Sequence, residues 1–173
     1  MKTPTSPVCH SSFVIRHSAL VALSLLFCIS VSAAPQLAWE TRHNFGLPSR
    51  THQVVAMTLD HAGDIIIAGN QFTPNGDPDY VLLKYSHAGT QLWARAYSSA
   101  PQAYDRLNAV AVDSNSNVYV TGASHTLKYN SAGQLQWVAP HAGVGLAVDS
   151  NEFVYTVAFQ NNDFRTVKLS PEG

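Results

Sequence analysis

Apolar and polar positions alternate along most of this chain in short runs, each closed by Gly, Asn, Asp or Ser. Alternation carried by Val, Ile, Tyr and Thr predicts strands lying on a packed, pleated surface. The runs recur in a fixed order. A first strand, a, ends in Asp, at 54–60, 107–113 and 145–149. A polar turn leads to strand b at 64–69, 117–122 and 153–158. Strand c carries a Lys and spans 80–85, 126–129 and 164–169. Strand d runs into a Trp at 91–95 and 134–138, and 36–40, around Trp39, reads as a lone strand of this type. No amphipathic helix and no block of like charges is predicted.

Lys84, Lys128 and Lys168 mark the period, 44 residues and then 40. A repeat of that length, built from four strand-like runs, predicts an all-β fold of four-stranded antiparallel propeller blades. The repeats are placed at about 54–95, 107–138 and 143–173 within a domain spanning 34–173. Gly63, Gly89, Gly133 and Gly173 close the short turns, where the chain needs a positive φ. Ser116 and Glu152 replace Gly63 in the later copies, so Asn115 and Asn151 are expected to take the left-handed position instead. The strands make about three blades' worth, and a closed ring needs about four to eight. The chain is therefore expected to be a partial propeller, foremost a fragment of a longer protein. A homodimer completing a six-bladed ring and an open arc are the alternatives.

Val110-Ala111-Val112-Asp113-Ser114 with Asn117-Val118-Tyr119-Val120-Thr121-Gly122, Asp79–Tyr85 as strand c, and Gly89 with Trp93 resemble the bacterial seven-bladed β-propeller (SBBP) repeat. The resemblance extends over about 54–173 and departs from the family pattern at Ser116, Glu152 and Ala158. The pattern is also similar to NHL-type and quinoprotein-type propeller repeats. The resemblance implies an exported or surface protein with interaction roles, and it carries no family-wide catalytic residues.

Composition adds compartment and excludes some partners. Residues 1–33 read as a secretory signal peptide: Lys2 and Arg16, an apolar run over 19–31, then small residues up to Ala33. That run is too short for a spanning helix of roughly 20 residues. No membrane span is expected after cleavage, and the mature chain is expected in the secreted, periplasmic or cell-surface space. Cys9 and Cys28 both fall in the leader, so no disulfide, thiol chemistry or cysteine-held metal is expected. Lys2 and Arg16 leave with the leader, so eight of the 10 basic residues remain against 11 acidic ones. No nucleic-acid surface is expected from that balance.

Variable b–c and d–a loops on a rigid scaffold are where binding is expected, with a protein or carbohydrate as ligand. Asn75, Asp77 and Asp79 place oxygen-bearing side chains at alternate positions, as in a calcium loop, although Gly76 and Pro78 equally spell a turn. Tyr104 and Arg106, beside Tyr97 and Asp105, form an aromatic–polar loop able to stack on a sugar or peptide. His125 and His141, with His43 and His52, lie in loops without the spacing of metal ligands. Trp39, Trp93 and Trp137 recur at one repeat position and read as packing residues. Asp60, Asp113 and Asp149 read as turn-starting side chains. No nucleophile elbow or phosphate loop is present, so neither an enzyme nor a cofactor or metal site is expected. A fragment of a lactonase-like or quinoprotein-like propeller enzyme is the alternative.

Overall fold

The computed structural model describes residues 36–43 and 51–173. The expected signal peptide, with Cys9 and Cys28, lies outside the described residues, as do residues 44–50. Among the described residues the chain is all-β, and no helix is long and apolar enough to cross a membrane. Blade 1 is β1 (His52–Leu59), β2 (Ile65–Phe72), β3 (Pro78–Tyr85) and β4 (Gln91–Tyr97), paired in that order. Blade 2 is β5 (Leu107–Val112), β6 (Val118–Gly122), β7 (Thr126–Tyr129) and β8 (Leu135–Ala139). Blade 3 has three strands, β9 (Gly145–Val148), β10 (Val154–Gln160) and β11 (Asp163–Leu169), with β11 at its outer edge. All pairings are antiparallel between sequence neighbours, and the sheets do not close on one another: the fold is a partial propeller.

One side chain builds each a–b turn. Asp60 Oδ1 accepts the amides of Ala62 and Asp64, both at 2.9 Å. Asp113 accepts those of Asn115 and Asn117, and Asp149 those of Asn151 and Phe153, at 2.8–3.0 Å. A carboxylate satisfies two amides that the tight turn would otherwise leave bare. The second oxygen finds a different partner as the repeat drifts. In blade 1 it meets Lys84 Nζ at 2.6 Å. In blades 2 and 3 a strand-b tyrosine, Tyr119 or Tyr155, donates its hydroxyl at 2.9 and 3.0 Å. Lys128 is thereby released to reach Glu152 of the next blade at 2.7 Å.

The left-handed position of these turns falls on Ser116 (φ 62°) and Glu152 (φ 64°), corrected from Asn115 and Asn151. The aspartate bonds hold the chain direction whatever residue follows. Glu152 offsets its backbone cost with two contacts to blade 2, from Lys128 and from Asn115 Nδ2 at 2.8 Å. The expected lone strand at 36–40 is also corrected: residues 36–43 carry no strand. Among the described residues no strand c lies beside them to supply ladder hydrogen bonds.

Two apolar layers hold the blades together. Ile66, Ala68, Tyr80 and Leu82 of blade 1 are buried against Leu107, Val118, Val120 and Leu127 of blade 2. Tyr119 and Ala139 on the other side of blade 2 meet Val154 and Leu169 of blade 3, with Leu146, Val148 and Val167 alongside. The tryptophans seal these layers at the turns. Trp93 donates to Ser131 O at 3.1 Å and lies on Gly133. Trp137 donates to Pro171 O at 2.9 Å and lies on Gly173. Trp39 donates to His87 O at 3.2 Å and lies on Gly89 in the same way, with no sheet of its own.

Candidate functional site

The b–c and d–a connections gather at one end of the sheets, and their best-built junction centres on Asp105. Its backbone amide donates to Pro78 O at 2.9 Å, which ties the d–a connection of blade 1 to the start of β3. The side chain is fully buried. It accepts from the amide of Ser99 at 2.5 Å and from the Ser99 hydroxyl at 2.9 Å. The Ser124 hydroxyl also donates to it, from the b–c loop of blade 2. Ala123 N donates to Arg106 O at 2.7 Å, so backbone and side chain fasten the same two loops. A buried carboxylate survives when its lone pairs are met by fixed donors, as these are.

Aromatic rings wall the junction. Tyr80 donates its hydroxyl to His125 O at 2.9 Å, and its ring lies 5.8 Å from that of Tyr97. Tyr97 meets the His125 ring edge-on at 5.9 Å. Burial, and then the charge of Asp105, push the Tyr97 phenol up. Burial also pushes the Tyr80 phenol up, against the hydrogen bonds that favour its ionised form. Tyr104 and Arg106, on either side of the inward-turned Asp105, are exposed at the rim.

The expected site residues do not form one cluster. Tyr104, Arg106 and His125 belong to the two loops that Asp105 joins. Asn75 and Asp77 lie in a turn closed on Thr73, whose hydroxyl accepts from Asp77 N at 3.1 Å and whose amide donates to Asp77 O at 2.8 Å. Asp79 is already within β3, paired with Gln71. His141 belongs to the link into blade 3: its carbonyl accepts from Thr126 Oγ1 at 2.7 Å, and its Nδ1 lies 3.5 Å from Arg165 Nη2. His43 and His52 line a small cavity of about 90 Å³ over Ile67, Gly69 and Val81. Among the described residues no group of three or more His, Cys, Asp or Glu is placed to hold a metal ion.

Ser99 and Ser124 have no signature in sequence, because a serine in a polar loop is unremarkable until its partner is known. With His125 and Asp105 they reproduce the composition of a hydrolytic triad but not its geometry. Both hydroxyls are spent on the carboxylate, and His125 Nδ1 stands 4.0 Å from Asp105 Oδ1 with no hydrogen-bond partner. Nucleophilic activation needs a serine held against the imidazole.

Residues 93–126 match the SBBP family model, a beta-propeller repeat. This segment is similar to an SBBP repeat. The SBBP unit runs in the order d, a, b and straddles two blades. It begins at Trp93, contains Asp105, Asp113 and Ser124, and ends at Thr126 as β7 opens. Ser99, Asp105 and Ser124 all fall within the match, whereas Pro78 and Tyr80, which complete the junction, lie before it. A solved structure, that of a Bacteroides caccae protein of unknown function, is similar over 75% of this chain at 13% identity and a TM-score of 0.36. This chain spans 64% of that protein's length. No curated protein matches the chain.

Proposed function

We propose that this chain is an exported propeller module that binds a protein or carbohydrate partner at its loop face and is not an enzyme. The observation that carries the reading is the Asp105 junction. A buried carboxylate fastens two loops from adjacent blades and leaves Tyr104 and Arg106 exposed on a rigid rim. A tyrosine ring and a guanidinium held without much conformational freedom suit stacking on a sugar or peptide, since little ordering entropy remains to be lost. The non-enzymatic reading is supported by the committed hydroxyls of Ser99 and Ser124. Export is supported by the leader-like pattern of residues 1–33.

Labelled protein on glycan and peptide arrays tests the reading. A selective signal is expected on one array, and Tyr104→Ala or Arg106→Ala should reduce it about tenfold, the loss of roughly 1.4 kcal/mol of contact. Signals that ignore both substitutions place binding elsewhere and overturn the assignment of this rim. Amino-terminal sequencing of the exported protein tests the leader, with cleavage after Ala33 expected.

A further inference from the structure

We propose that the rim of Tyr104 and Arg106 reads an extended peptide segment in which an aromatic residue and a carboxylate stand two residues apart. This rests on the reading of the rim as the binding site and adds the chemistry of its partner. Exposure alternates along this segment: Gln102, Tyr104 and Arg106 are exposed, whereas Asp105 and Leu107 are buried. A period of two marks an extended backbone, on which side chains two residues apart stand about 7 Å from one another. A peptide lying extended along the rim has the same period. An aromatic side chain set on Tyr104 then brings the side chain two residues away onto Arg106. A shift of one residue turns that side chain to the opposite face.

The spacing is held by the backbone on both sides of each exposed residue. Ala103 N donates to Ala100 O at 3.1 Å, and Asp105 N donates to Pro78 O at 2.9 Å. Arg106 O accepts from Ala123 N at 2.7 Å, and Leu107 N donates to Asn70 Oδ1 at 2.7 Å. These anchors come from the segment's own turn, from β3, from the b–c loop of blade 2 and from β2. Side chains carried on a backbone fixed in this way discriminate spacing, because the rim does not move to meet a ligand that misfits.

The charge of the partner follows from Arg106. Lys84 and Lys128 are paired with Asp60 and Glu152, and Arg42 with Glu40. Arg95 donates to Gly133 O, Lys168 Nζ lies 3.9 Å from the centre of the Phe153 ring, and Arg165 Nη2 lies 3.5 Å from His141 Nδ1. Among the described residues Arg106 is the one lysine or arginine whose side chain has no such partner. The carboxylate next to it in the chain, Asp105, is turned inward and spent on Ser99 and Ser124. A planar guanidinium with free donors takes a carboxylate through two parallel hydrogen bonds. Tyr104 is 59% exposed, and among the described residues no ring or cation lies against it. Its face is open to an aromatic ring.

Fluorescence anisotropy on the purified chain is the test, with labelled Gly-Ser peptides that each carry one Phe and one Glu. The two residues are set adjacent, two apart or three apart, in both orders. The peptides with the pair two apart should bind about tenfold or more tighter than the others, and Gln in place of Glu should lose that gain. Arg106→Glu should abolish the preference for Glu and transfer it to a peptide with Lys at that position. Both rim side chains are exposed, so the circular dichroism spectrum of the variants should not change. No peptide binding, equal affinity at all three spacings, or a preference for Glu that survives Arg106→Glu would overturn the proposal. Binding of glycans alone, lost in Tyr104→Ala and Arg106→Ala, would overturn the peptide and keep the rim as the site. Binding that ignores both substitutions would overturn the rim as well.

Discussion

Gly133→Ala is the substitution that most directly probes how one blade is locked to the next. Gly133 sits at φ 75°, and a Cβ there would stand 2.7 Å from Trp93 Cδ2, in the rigid centre of the indole. An ordinary carbon contact needs about 3.5–4.0 Å, so the ring must retreat by roughly 1 Å. The substitution carries three costs. The left-handed backbone costs a side chain about 1 kcal/mol. Displacing a packed ring costs about 1 kcal/mol or more, as overpacking does. The Trp93 bond to Ser131 O, 3.1 Å long, is worth about 1 kcal/mol and is lost as the ring moves. The sum is about 3 kcal/mol. Gly63→Ala provides the internal control, because Gly63 has φ 78° and nothing within 4 Å of its Cβ position. It should cost only the backbone share, about 1 kcal/mol. With a urea slope of about 2 kcal/mol per molar, the midpoints should fall by about 1.5 M for Gly133→Ala and about 0.5 M for Gly63→Ala. Far-ultraviolet circular dichroism gives the midpoints, and tryptophan fluorescence should report the moved indole in the first variant alone. Equal midpoint shifts in the two variants would refute the claim that the tryptophan contact couples the blades.

Two further outcomes follow from the buried carboxylates. Asp105→Ala leaves the Ser99 amide and two hydroxyls without their acceptor and should cost about 3 kcal/mol, with new proteolytic cleavage between residues 98 and 106; a loop that stays resistant would contradict the fastening role. Burial raises Asp60, but Lys84 and the amides of Asp64 and Ala62 together bring it below its ordinary 3.8. A depressed carboxylate stabilises the fold above its unfolded value and loses that contribution as pH falls through the folded one. Lys84→Met removes the cation, so its acid unfolding midpoint should move to higher pH in a pH titration followed by circular dichroism, and an unchanged midpoint would show that the ion pair does not matter.

The blade order was legible because the signals are local. Alternation at 107–113 and 117–122, the closing Asp113 and the recurrent Trp93 and Trp137 each report a strand face, a turn or a packing residue from neighbours in the chain. The Asp105 junction was only half legible. Tyr104, Asp105 and Arg106 stood out as a polar aromatic loop, but which of the three turns inward depends on Ser99 and on Ser124, a blade away. Asn75, Asp77 and Asp79 looked alike in sequence and separate in space, because β3 begins at Pro78 and claims Asp79 for the sheet.

The sequence by itself determined the strand repeat, the Asp-started turns and the packing role of the tryptophans. These rest on side-chain period and on hydrogen bonds that span at most a few residues. Only the tertiary structure decided that Ser116 and Glu152 take the left-handed positions. It also decided that residues 36–40 carry no strand although Trp39 is seated, and that Lys128 serves the next blade rather than its own. Glu152, Trp39 and Lys128 each depend on a partner from another sheet, and the energy of such a contact is set by register and inter-blade packing, which no local pattern encodes.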